Sequence, residues 1–133
     1  MSMNTIGAAA KASGVSAKMI RYYEAIGLLP PAPRSEGGYR HYGPTDLHVL
    51  RFIRRARDLG FSLENTAQLL RLWRDRDRSS SEVKALAEAH IAELRAKIDE
   101  MSAMMRTLAH LAEHCHGDNR PDCPIIDDLA GCH

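Results

Sequence analysis

From Ser81 to about Glu113 the chain has neither proline nor glycine, and apolar residues recur at Ala87, Ile91, Leu94, Ile98, Met101, Met105, Leu108 and Ala112. The intervals alternate between four and three, which is the heptad pattern of an α-helix with one narrow apolar stripe. At the rise of an α-helix such an element is roughly 50 Å long. That is too long and too narrowly striped to bury itself against the small domain that precedes it, so the pattern predicts a coiled coil between two chains. A helix packed into an intramolecular bundle is the other solution. The lack of further long helices, and of any aromatic residue beyond Trp73, disfavours it.

The first half of the chain reads differently. Asn4 or Thr5 can cap a helix from Thr5 to about Ser13, with Ile6, Ala9 and Ala10 on its apolar face, and Gly14-Val15 breaks it. Ser16 is a good N-cap for a second helix from Ala17 to about Ile26, which Gly27 stops. Helix, tight glycine turn and capped helix form the helix-turn-helix pattern. Within the second helix, Lys18, Arg21 and Tyr22 fall at i, i+3 and i+4, beside an apolar face of Met19, Ile20 and Tyr23. Residues 28–42 carry prolines and a Gly-Gly pair between short extended pieces, predicting a small β-hairpin, or wing. Either Tyr39 or Tyr42 is expected to pack the wing onto the helices. Pro44 and Thr45 open a third helix running to about Leu59, with Leu47, Leu50 and Ile53 as its inner stripe and Arg51, Arg54, Arg55 and Arg57 mostly outward. Ser62 with Asn65 or Thr66 opens a fourth, through Leu63, Ala67, Leu69, Leu70 and Trp73. The alternating-sign run Arg74-Asp75-Arg76-Asp77-Arg78 then reads as a solvated linker.

Charge sharpens this division. The formal net charge is only +1, yet residues 1–78 hold 13 Lys/Arg against 7 Asp/Glu, and residues 79–133 hold 5 against 10. The bland explanation is an uneven solvated surface; with the helix-turn-helix, a basic face for DNA is the sharper one. Ser16, Lys18, Arg21, Tyr22 and Tyr23 on the helix, and Arg34, Tyr39 and Arg40 on the wing, are the candidate DNA contacts. Wing cations that meet phosphates supply affinity and register rather than sequence choice.

These residues carry a resemblance. Ile20-Arg21-Tyr22-Tyr23-Glu24, Gly27-Leu28-Leu29, Arg34, Gly38-Tyr39-Arg40-His41-Tyr42, Leu50-Arg51-Phe52-Ile53 and Leu59-Gly60-Phe61-Ser62-Leu63 closely resemble the winged-helix domain of the MerR family of transcriptional regulators. The long helix and the cysteine-bearing tail extend the likeness over nearly the whole chain, and the tail is most similar to the copper-efflux (CueR-like) regulator subgroup. The expected architecture is mainly α: a winged helix-turn-helix DNA-binding domain (1–78), a dimerisation helix (79–114) and a metal-binding loop with a terminal helix (115–133). The resemblance implies antiparallel pairing of two long helices; the heptads alone leave orientation open.

All three cysteines, Cys115, Cys123 and Cys132, lie within the last 19 residues. An odd count without a secretion signal argues against a disulfide scaffold and for reduced thiolates. Cys115 and Cys123 are separated by seven residues rich in Gly, Asp, Asn and Pro, able to fold back and bring two sulfurs together. Pro124 fits N1 of a last short helix, to about Leu129, which puts Cys123 at its N-cap, where thiolate is favoured over thiol. Two thiolates around a monovalent ion leave a charge of −1 that the helix terminus can stabilise; zinc usually wants four ligands, and soft thiolates suit Cu(I). The resemblance implies a two-coordinate site for Cu(I), or Ag(I) or Au(I). Relatives that sense divalent ions carry a cysteine near the start of the long helix, where this chain has Ser80, so the resemblance makes Ser80 a determinant of metal selectivity. His110, His114 and His116 keep a mixed thiolate–imidazole zinc site in play. Cys132 and His133 form a shorter ending than the subgroup's usual one, and Cys132 reads as an accessory or transfer thiol, or simply a mobile one.

The remaining function classes fare worse. An iron–sulfur sensor needs four cysteines, a thiol oxidoreductase a Cys-x-x-Cys motif, and a multidrug sensor a large ligand domain. No acid–base or nucleophile constellation suggests an enzyme, and neither a signal pattern nor a membrane-length apolar run suggests export or insertion, so a cytoplasmic protein is expected. The expectation is a Cu(I)-responsive homodimer that binds a palindrome in double-stranded promoter DNA and activates copper-efflux genes by distorting that DNA for RNA polymerase. A divalent-metal sensor of the same family, or a metal-buffering protein without specific DNA binding, are the alternatives.

Overall fold

The computed structural model describes residues 5–30, 40–115, 117, 121 and 123–131. Six helices occur among them: α1 (Ile6–Ser13), α2 (Ala17–Ala25), α3 (Pro44–Asp58), α4 (Leu63–Arg74), α5 (Ser80–Glu113) and α6 (Pro124–Leu129). The expected boundaries hold to within about a residue.

The boundaries have local causes. The Thr5 hydroxyl accepts from the Ala8 N–H, Ser16 from Met19 and Ser62 from Asn65, each satisfying an orphan donor at the start of a helix. Pro44 occupies the first turn of α3, and the Asp46 carboxylate takes the Gly43 N–H. Gly14 closes α1 in the left-handed region at φ 76°, donating its N–H to the Ala10 carbonyl.

The chain forms two compact units, the first ending at Leu86 and the second beginning at Ala87. In the first, α1 packs on α2 and α3, and α3 on α4. The shared core contains Ala9, Val15, Ile20, Tyr23, Leu28, Leu29, Tyr42, Val49, Leu50, Ile53 and Leu70. The inner face of α3 is rotated from the expected stripe: Val49 and Ala56 are buried with Leu50 and Ile53, while Leu47 is only partly covered. The cause is that α3 lies between α1 and α4 and must be apolar toward both. Phe52 and Trp73 stack at 4.8 Å between nearly parallel ring planes, joining α3 to α4.

Between Arg74 and Ser80 the chain is exposed, as expected of a solvated linker; the Asp77 N–H and the Arg78 guanidinium both bond to Asp75. The second unit contains most of α5, followed by the Cys115–Cys123 segment and α6. The stripe residues Ile91, Leu94, Ile98, Met101, Met105 and Leu108 are 37–64% exposed in the single chain. No helix among the described residues is long and apolar enough to cross a membrane. Most of the expected wing, including Arg34 and Tyr39, lies outside the described residues, as do Cys132 and His133. Of the wing, Arg40 and Tyr42 are seen at isolated bridge positions.

Candidate nucleic-acid interface and metal centre

The second helix of the helix-turn-helix presents what its spacing promised. Lys18, Arg21 and Tyr22 are exposed, and Ser16 stands at the exposed N-terminus of α2. The Ser16 oxygen accepts from Met19, which leaves its hydroxyl hydrogen free to donate to a phosphate. Backbone N–H groups at a helix start favour an anion as well.

Two of the expected contacts are placed otherwise. Tyr23 is 5% exposed and belongs to the core, and burial raises its phenol pKa above 10.0, the nearby Arg57 charge acting the other way. It packs α2 against the core from behind. The Arg40 side chain is turned inward: one guanidinium nitrogen lies 2.6 Å from the Glu24 carboxylate, a second donates to the Pro30 carbonyl, and the group sits 4.3 Å from the centre of the Tyr42 ring. The Tyr42 hydroxyl donates to the same Glu24 oxygen, and burial followed by this bond raises its pKa as well. Arg40 thus ties the return of the wing to the end of α2 and is a positioning residue rather than a free phosphate contact. The signal in the sequence was Glu24, a carboxylate on an otherwise cationic helix, which calls for a nearby cation if the helix is to face a polyanion.

Two arginines on α3 have roles that their outward positions in the sequence pattern did not indicate. Arg51 reaches the Ala12 carbonyl and Arg54 the Gly14 carbonyl, so cations taken as merely outward hold the end of α1 and the turn. Arg54 and Arg57, with Ser16 and Met19, line an open cleft of about 310 Å³ beside the start of α2. The Asp58 carboxylate, 3.7 Å from Arg54, lines the same cleft, so the charge beside the helix terminus is that of one unbalanced cation.

At the far end of the chain the two expected sulfurs do meet. Cys115 lies just past α5 and Cys123 at the N-cap of α6, with Sγ atoms 3.7 Å apart. The Cys115 thiol donates to Cys123. The Cys123 pKa is lowered from its usual value, first by the Ile126 N–H, then by that thiol and the Ile125 N–H; desolvation and the Asp127 carboxylate oppose. This is a thiolate-ready pair that one soft ion can bridge. Two bonds of about 2.3 Å span roughly 3.8 Å at a tetrahedral angle and 4.6 Å when linear, so small movements from the observed separation admit either geometry. Among the described residues no group of three or more His, Cys, Asp or Glu is arranged to hold a metal. Ser80 is the exposed first residue of α5.

Comparison with known proteins gives these features a context. Residues 4–73 match the family described as MerR HTH family regulatory protein, and residues 47–111 match MerR, DNA binding. The chain is 66% identical over 125 residues to heavy metal-dependent transcription regulator 2 of Rhizobium meliloti (strain 1021), covering 94% of this chain and 85% of that one. It is 45% identical over 123 residues to the HTH-type transcriptional regulator CueR of Salmonella typhimurium (strain LT2), covering 92% and 89%. Among solved structures it is similar to the transcription regulator PbrR691 from Ralstonia metallidurans CH34 in complex with lead(II), with a TM-score of 0.82, 38% identity, and 96% and 99% of the two chains covered.

Proposed function

Because this chain belongs to the MerR family of helix-turn-helix transcriptional regulators, whose members bind DNA rather than catalyse reactions, we propose that it is a metal-responsive regulator answering to Cu(I) or its congeners. The observation that carries the metal reading is the Cys115–Cys123 pair, 3.7 Å apart with one sulfur biased toward thiolate. Its relatives described as heavy metal-dependent and as CueR support it. Cys115 and Cys123 would hold the ion, which supplies a bridge between the end of α5 and the start of α6. A monovalent ion leaves the pair with a charge of −1, which the Ile125 and Ile126 N–H groups are placed to stabilise.

On this reading two chains pair through the apolar stripe of α5, and the dimer sets two copies of α2 on a promoter palindrome. Ser16, Lys18, Arg21 and Tyr22 contact DNA directly, Arg34 and Tyr39 contribute from the wing, and Tyr23 and Arg40 hold the helix and wing in place. Held by one ion, Cys115 and Cys123 would fix the end of α5 to the start of α6, and this would change how the two DNA-binding units grip the promoter. The resulting deformation of the DNA, rather than recruitment, allows RNA polymerase to engage and copper-efflux genes to be expressed. Ser80, in place of a third sulfur, keeps the response monovalent.

The lead(II) complex of a relative 38% identical favours a second reading, a sensor of divalent ions. Transcription in vitro under reducing conditions, titrated with Cu(I), Ag(I), Zn(II) and Pb(II), separates the two. The first reading expects activation by the monovalent ions alone, and activation by Zn(II) or Pb(II) alone overturns it. Cys115→Ser and Cys123→Ser should each retain promoter binding and lose induction; loss of DNA binding in both contradicts the division of labour. Ser80→Cys should admit a divalent response.

A further inference from the structure

The metal reading leaves two side chains at the end of α5 without a task. His110 and His114 stand one turn apart on the same exposed face, with ring centres 4.4 Å apart and planes at 50°. The His114 Nδ1 lies 2.8 Å from the His110 carbonyl oxygen. A carbonyl can only accept, so Nδ1 is the donor in this bond and Nε2 is the nitrogen of the ring left for a ligand. An imidazole whose other nitrogen donates to a backbone carbonyl is the arrangement of a histidine prepared to bind a metal. Two imidazoles sharing one ion at about 2.0–2.1 Å per bond have ring centres roughly 4.5–5 Å apart, within a small side-chain adjustment of the observed pair. The last turn of a helix also leaves carbonyls with partial negative charge, which favours a cation there.

We propose that His110 and His114 form a second metal site, distinct from the sulfur pair, for a first-row divalent ion of the Ni(II), Zn(II) or Cu(II) class. Imidazole nitrogen suits these borderline ions, whereas the thiolates suit soft monovalent ones. With two protein ligands the rest of the shell is water, so the site is a weak one. Its structural effect is to staple the final turn of α5 immediately before Cys115. The inference does not depend on the sulfur pair being a sensor.

The test is a Ni(II) titration of the full-length protein with its thiols alkylated, followed by competition with a chelator of known affinity and by paramagnetic broadening of histidine ring protons in NMR spectra. One ion per chain should bind and broaden the His110 and His114 resonances first. His110→Gln and His114→Gln should each weaken binding at least tenfold, with no change in helix content. The same titration of Cys115→Ser/Cys123→Ser protein, not alkylated, checks that the blocking groups do not create the effect. The proposal is overturned if the double variant His110→Gln/His114→Gln binds Ni(II) as well as its parent, or if His116→Gln alone abolishes binding.

Discussion

At the scale of single residues the most informative group is Glu24, Arg40 and Tyr42. The side chains of Arg40 and Glu24 are 9% and 25% exposed, so the pair is partly desolvated and breaking it strands a carboxylate. Arg40→Ala should cost about 2 kcal/mol in urea unfolding, in line with hydrogen bonds to charged groups. Arg40→Lys should restore little, because a single ammonium cannot reproduce the fork that serves Glu24 and the Pro30 carbonyl together. The buried phenols give a pH dependence. Tyr23 and Tyr42 both have pKa values raised from 10.0, so their neutral forms stabilise the fold; that contribution is complete below pH 10 and is lost as pH rises through the raised values. Thermal melts from pH 8 to 11 should therefore show stability falling above about pH 10, less steeply in Tyr42→Phe. The rings were legible beforehand and the ion pair was not. Spacing did put Tyr23 on the apolar face of α2 and Tyr22 on the cationic one, as their burial bears out, but a wing arginine whose partner lies sixteen residues away in sequence reads as a surface cation.

Elements were far more legible, because their limits are set by neighbours in sequence. Thr5, Ser16 and Ser62 act as caps, and glycine closes α1, without help from tertiary contacts. What no local rule showed is that the turn after α1 is also held from across the fold. Gly14 has φ 76°, and a β-carbon there would lie 1.5 Å from an Arg54 guanidinium nitrogen. Gly14→Ala should thus lose about 1 kcal/mol for the left-handed backbone, and more as Arg54 is displaced from the Gly14 carbonyl. Calorimetry of Gly14→Ala beside Ser16→Ala, where a lost cap should cost about 1 kcal/mol, will show whether the turn or the cap matters more. The stripe of α5 was read correctly as a period; the rotation of α3 was not, since a helix covered on two sides has no single stripe to find.

For the molecule as a whole, the exposed row from Ile91 to Leu108 is the feature that a lone chain leaves unresolved. Its leucines, isoleucines and methionines would exchange water for one another in a paired α5. Ile98→Glu should shift sedimentation from dimer to monomer and weaken operator binding, with the fold of residues 5–86 retained. If the variant still sediments as a dimer, the stripe is not the interface. The site at the chain's end was legible as two cysteines around a turn, and their proximity is what the structure adds.

That proximity also exposes the protein to air. Two thiols 3.7 Å apart, one biased toward thiolate, lie within a short closure of the roughly 2.05 Å bond of cystine. An oxidant that takes two electrons, with the two thiol protons lost to solvent, would join the sulfurs, and the joined pair has no thiolate left to offer a metal. Handling under oxygen would then imitate the two serine variants, and a reductant would restore the response.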